Sequence, residues 1–306
     1  MAAEKVKTEL ICPSPDIVLV IGQPPQVKLM VSSAVLKNAS AVSAAMLGPQ
    51  FREGQEVEST AQPKEINLPD DNPETVSDMC HMLHSKTVHK YLTGASAATI
   101  LELAITIDKY ACVDALRMQA HAILLGNLDL YADLDLATNG QRMVAAYLLD
   151  NSRAFRLSTG RLISGVTTPY SSLLLEEWAC HISPMALYGL EAKRSEAQRN
   201  LLHNLASEYL PQPDVDYARF ITQLCKAVDV STWPPKLESH SIDQLLSYVK
   251  KMNTINTNLG QKLSTAKLAS VVKALEENCD GLCLACVKEQ NADVVKQCTE
   301  KLHGRR

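Results

Sequence analysis

Residues 100–125 read ILELAITIDKYACVDALRMQAHAILL, and how they fold decides the architecture around them. Apolar side chains fall at Ile100, Leu103, Ala104, Ile107, Tyr110 and Ala111. Residues three and four apart share one face of a helix, so this spacing predicts an amphipathic helix. The pattern blurs at Ala111-Cys112, and a second stripe runs through Val113, Leu116, Ala120, Ile123 and Leu124. The reading is two helices of about a dozen residues each, joined by a tight corner. Neither buries its stripe alone, so neighbouring segments must cover it.

The upstream sequence supplies that cover. Pro15-Asp16 opens the β-branched run Ile17-Val18-Leu19-Val20-Ile21, which stops at Gly22 and reads as a buried strand. Gln23-Pro24-Pro25 turns the chain, and Val27-Lys28-Leu29-Met30-Val31 returns as the second strand of a hairpin. Ser32 or Ser33 caps a pair of short helices, broken near residues 38–40 and ended by Gly48-Pro49. Residues 52–64 are polar. Ile66 and Leu68 alternate with polar neighbours, as in a half-exposed strand. Residues 70–72 supply a cap, with Asp70-Asp71 read in that role. Pro73 suits the first turn of a helix striped by Val76, Met79, Cys80 and Leu83. The mixture predicts an α+β unit, a small sheet packed with helices.

The ordered set of residues resembles a known family. It comprises Pro15-Asp16-Ile17-Val18-Leu19-Val20, Ser33-Ala34-Val35-Leu36 with Ser40, Phe51-Arg52-Glu53-Gly54, Ile66-Asn67-Leu68-Pro69-Asp70-Asp71 and the corner Asp108-Lys109-Tyr110 after Ala104. Together these look like a BTB/POZ domain of the divergent kind common in filamentous fungi, over roughly residues 15–126. Two features depart from the family pattern. Ser32 stands where many members carry a histidine, and Thr93-Gly94 is what remains of a Tyr-Thr-Gly sequence. The resemblance implies protein–protein contact: self-association as a homodimer, or docking to the cullin scaffold of a ubiquitin ligase. Cullin-binding members often carry a hydrophobic–x–Glu sequence, which Phe51-Arg52-Glu53 matches by position. Phe51 would anchor in a partner pocket and Glu53 would fix the register. The competing reading folds Phe51 back on its own domain and leaves Glu53 solvated.

The rest of the 306-residue chain is read as helical. Stripes at Met143, Val144, Tyr147 and Leu148, at residues 184–210, 217–228, 242–255 and 263–275, and shorter pieces at 162–165 and 173–180, give six to eight helices with no fixed repeat. The expected layout is a flexible N-terminus at 1–14, the BTB/POZ-like domain at 15–126, a helical domain at 127–277 and a Cys-rich tail at 278–306.

That tail holds Cys279, Cys283, Cys286, Cys298 and His303. Cys283 and Cys286 have the C-x₂-C spacing of half a zinc clamp. Cys298 with His303 would supply the other half, and Cys279 a spare. Such a site would be structural, every position being filled by protein. The other reading is a short helix whose cysteines fill a small core beside Leu282, Leu284 and Val287. Cys80, His81, His84 and His89 also suggest a metal cluster, but Met79, Cys80 and Leu83 belong to a packing stripe. These histidines are read as ordinary.

A net charge of −4 argues against strong non-specific nucleic-acid binding. The first ten residues lack the apolar core of a signal peptide, and no run approaches the ~18 apolar residues of a membrane span. Nine cysteines without an export signal fit free thiols inside the cell, in cytoplasm or nucleus. Phosphate-loop, nucleophile-elbow and His-Glu-x-x-His motifs are missing from the sequence. The expectation is therefore a non-enzymatic adaptor or scaffold, first as a substrate adaptor of a cullin-type ligase. The alternative is a self-associating structural or regulatory scaffold, linked to transcription by analogy, and a zinc-dependent enzyme stands last.

Overall fold

The apolar run Ile17–Ile21 becomes the central strand of a four-stranded sheet. The structure, a computed structural model, describes residues 7–50, 63–126, 135–209, 241–258, 273 and 279–290. In chain order the strands are β1 (Lys7–Leu10), β2 (Ile17–Ile21), β3 (Val27–Val31) and β4 (Lys64–Leu68), laid out β1-β3-β2-β4. β2 pairs antiparallel with β3 and parallel with β4, so it is flanked on both edges and all five of its residues are buried. That position explains an unbroken apolar run where an outer strand would alternate. β4 does alternate, with Ile66 buried between exposed neighbours. Gly22 ends β2 at φ +78°, where a Cβ would press on Pro73, so only glycine fits comfortably.

From Lys7 onward the first strand corrects the expectation of a flexible segment at 1–14; residues 1–6 lie outside the described residues. Lys7–Leu10 pairs parallel with β3, and Ile11 beyond it is 1% exposed. KTEL is short and polar, and nothing in its own pattern marks a strand. The long-range ladder makes it one.

Two short helices follow the hairpin, α1 (Ser33–Ala39) and α2 (Ala41–Met46). Asp16 caps α1 from a distance: Ser33 donates its backbone N–H to Oδ1 (2.6 Å) and its hydroxyl to Oδ2 (2.5 Å). Ser40 caps α2 by accepting from the Ser43 N–H (2.8 Å), and donates to the Tyr110 carbonyl (2.5 Å). Next come α3 (Pro73–Leu83), α4 (Ala97–Lys109) and α5 (Arg117–Gly126). The cap of α3 is Asn72, which accepts from Glu74 and Thr75, with Pro73 in the first turn. Asp71 is not a cap, contrary to the sequence expectation. It accepts from Lys109 Nζ (2.7 Å) and from Tyr110 Oη (3.0 Å), tying the end of α4 to the start of α3. The tight corner between the organising helices is closed by Ala111 at φ +51°, with Cys112 N–H donating to the Ile107 carbonyl.

The chain forms two compact units: residues 1–132 with 144–154, and residues 133–143 with 155–306. The boundary is not one cut, because α6 (Leu136–Leu148) begins in the second unit and ends in the first. Within the first unit, His121 and Asn151 are hydrogen-bonded at 3.2 Å.

The second unit contains most of α7 (Ser152–Gly165), then α8 (Pro184–Tyr209), α9 (Ile242–Asn258) and α10 (Leu284–Lys288). Residues 170–175 and 179–181 are 3₁₀ turns where a short helix was expected. The expected helices at 217–228 and 263–275 lie outside the described residues, Lys273 apart. Tyr170 is fully buried, donates to the Leu162 carbonyl (2.7 Å) and carries the Arg194 guanidinium over its ring. Among the described residues no helix is long and apolar enough to cross a membrane.

Candidate protein-binding surface

α3 lines the first of two neighbouring grooves in the first unit, and its last turn reaches the second through Met82. Val76, Met79 and Cys80 are its buried stripe. Burial pushes the Cys80 thiol up to about 12, with the Cys112 thiol adding to it, so Cys80 is a core side chain and no nucleophile. The row Glu74, Ser77, Asp78 and His81 faces the first groove, about 600 Å³, closed on its other sides by Lys7 and Glu9 of β1 and by residues 87–90.

This polar groove superficially resembles a catalytic arrangement. His81 Nε2 lies 3.1 Å from Glu9 Oε1, and His81 Nδ1 lies 3.4 Å from Ser77 Oγ. The protons are arranged otherwise. Nδ1 is closer, at 2.9 Å, to the Ser77 carbonyl, an acceptor to which it must donate. A ring nitrogen that already carries a proton cannot take one from serine. The Ser77 hydroxyl donates directly to Glu9 (3.1 Å). The group is a stitch between β1 and α3.

Lys90 makes a second stitch, reaching Glu74 (2.5 Å) and Asp78 (2.6 Å). Burial draws its ammonium down, but the two carboxylates outweigh that and hold it above its ordinary range. The hydrogen bond to Lys90 pulls the Glu74 carboxyl below its usual range. Asp78 also accepts from the buried Tyr91 hydroxyl (2.7 Å). All three carboxylates lining this groove are thus engaged by the protein itself.

The second groove, about 410 Å³, runs between α5 and residues 85–92. Its apolar lining is Met82, Val88, Leu92, Met118, Ala122 and Ile123, and among the described residues Lys86 is its one charged side chain. Two of its apolar side chains are exposed at the rim: Leu92 is 55% exposed and Met118 76%. On α5 the inward stripe is Ala120, Ile123 and Leu124, while Met118, Ala122 and Leu125 form a second apolar row, i, i+4, i+7, on the outer side. The Lys86 side chain is exposed and has no carboxylate partner among the described residues. Its position is fixed by the end of α3: Ser85 takes φ +60°, and Lys86 N–H donates to the His81 carbonyl (2.9 Å).

The residues expected to bind partners or metal fall elsewhere. Phe51 and Glu53 lie outside the described residues, as do Cys298 and His303. Cys279 and Cys283 are half-buried, and Cys286 is buried with Leu282, Leu284 and Val287. Among the described residues no three His, Cys, Asp or Glu side chains group as metal ligands would. The segment is fixed to α7 by packing: a Cβ at Gly281 would overlap the Arg156 carbonyl, Leu282 N–H donates to Thr159 Oγ1 (2.8 Å), and Arg156 pairs with Asp280 (2.6 Å). His81 and His84 turn to different partners, His84 Nε2 accepting the Ser32 N–H (3.2 Å).

Lys86, Leu92 and Met118 escape a reading of the sequence alone, although Met118 and Ala122 offered a signal. They are apolar yet lie off the buried stripe of their helix. No protein-family model, curated protein or solved structure matches the chain significantly.

Proposed function

We propose that this chain is a protein–protein adaptor, its first unit a BTB/POZ-type module that grips another polypeptide and its helical remainder presenting a client. The apolar groove beside α5 carries the reading. A chain that pairs the carboxylates of one groove internally, and leaves Leu92 and Met118 open on the next, has the surface of a binding module. The residues of the resemblance also support it through the work they do: Asp16 caps α1, Ser40 joins α2 to the corner, and Asp71 holds Lys109 and Tyr110. Function by contact is supported further by the Ser77–His81–Glu9 group, whose protons are committed to structure.

The partner is a cullin scaffold of a ubiquitin ligase, engaged through Phe51 and Glu53. Capture of a cullin by the full chain, lost on combining Phe51→Ala with Glu53→Ala, tests this. A second reading, a self-associating scaffold, is favoured by β1, which ends the sheet with one edge unpaired among the described residues. A dimer in light scattering with no cullin captured would select it.

A further inference from the structure

Resting on the adaptor reading above, we infer that the groove between α5 and residues 85–92 takes an amphipathic helix of a partner protein, whose apolar side chains fill it and whose aspartate or glutamate meets Lys86. Shape is the first argument. Met118 and Ala122, four residues apart on α5, line the groove over about 6 Å at 1.5 Å per residue. A helix laid alongside presents its own i, i+4 row to such a wall. The volume, about 410 Å³, admits a short row of aliphatic side chains and no folded domain.

Charge is the second argument. Among the described residues no carboxylate lines the groove. Elsewhere in this unit Lys28, Lys90 and Lys109 each sit against a carboxylate of the chain. Lys86 does not, among the described residues, and the backbone bond of its own N–H to the His81 carbonyl fixes where it starts. An incoming carboxylate would find a positive charge at the rim with no competing carboxylate among the described residues. Gln119, Ser85 and Thr87 supply neutral polar groups around it.

The test selects a display library of helix-biased peptides on the full chain and measures the enriched peptide by fluorescence anisotropy. The expected peptide carries two large apolar residues four apart and an acidic residue. Leu92→Asp with Met118→Asp should weaken it by about thirtyfold or more. Lys86→Glu should weaken it by about tenfold, and exchanging the peptide's acid for lysine should restore binding to that variant. All three positions are exposed, so circular dichroism of the variants should match the parent. Ala122→Arg, also exposed, blocks the groove independently. No enrichment, equal binding to the Leu92/Met118 variant, a motif indifferent to Lys86→Glu, or a dimer that Met118→Asp splits would each overturn the inference. Cullin capture is read separately. Capture without peptide selection removes this inference and leaves the adaptor reading, and peptide selection without any cullin removes the cullin assignment alone.

Discussion

The two grooves share Thr87 and Val88 and end as chemical opposites. The polar groove holds Glu9, Glu74, Asp78, His81 and Lys90, the residue types that catalysis and ion binding use, and the chain engages them with one another. The apolar groove holds a single charge and two exposed anchors, and nothing among the described residues answers them. The difference teaches where to look for function. Charged side chains close together are often a stitch, whereas apolar side chains left in water ask for a partner.

Breaking the polar groove should have the largest effect. Asp78→Ala removes the acceptor of the buried Tyr91 hydroxyl and one of the two carboxylates holding Lys90. Losing one partner of a buried pair costs about 3–5 kcal/mol, and the partial exposure of Lys90 reduces the expected loss here to about 2–3 kcal/mol. Urea denaturation measures it. A loss under about 0.5 kcal/mol, the scale of an ordinary surface change, would mean the groove is not a stitch.

The buried side of the same helix sets a pH dependence. Burial raises the Cys80 thiol from 9.0 to about 12. The folded value lies above the unfolded one, so stability from this group is full below pH 9 and falls as pH rises towards 12. By pH 10 the loss should be on the order of 1 kcal/mol. Burial also pushes the Tyr91, Tyr110 and Tyr170 phenols up, so they too withdraw stability as pH rises past their ordinary range; the comparison is with Cys80→Ala, whose stability should fall less steeply between pH 9 and 10.

Smaller still is the effect at the end of α3, where the two grooves meet. Ser85 holds a left-handed φ of +60° so that Lys86 N–H can reach the His81 carbonyl. Ser85→Gly should relieve that strain and raise stability by about 0.5–1 kcal/mol in thermal melts. Unchanged or lowered stability would show that the serine side chain is needed there.

These helix ends also show what the sequence could reveal. Two starts were readable, because Asn72-Pro73 and Ser40 act on their own neighbours; that of α1 was not, since Ser32 and Ser33, the expected caps, give way to Asp16. Ends were read unevenly. Gly48-Pro49 marked the end of α2 and the break at Ala111-Cys112 was visible in the apolar pattern, but Ser85, Ala111 and Asp150 take positive φ with no glycine to announce it. Residues 17–21 announced a central strand by their own composition, whereas β1 exists only through its ladder to β3. Asp16 and Asp71 act across 17 and 38–39 residues, so adjacency in sequence misassigned Asp71 as a cap. The apolar groove was half legible. Met118 and Ala122 stand off the buried stripe, but only the fold brings Leu92 and Lys86 beside them.

The smallest expected effect on stability is the most telling. Met118 is 76% exposed, so replacing it takes almost no buried surface from the fold. Met118→Ser should shift unfolding by no more than about 0.5 kcal/mol in either direction. A methionine whose role was packing would cost about 2–5 kcal/mol on truncation. The same substitution should weaken the selected helical peptide, because an anchor buried only in the complex contributes there and nowhere else. A neutral effect on folding joined to a loss of binding separates a surface kept for a partner from one that is merely apolar. A stability loss of 2 kcal/mol or more would place Met118 with the core and close the groove as a candidate.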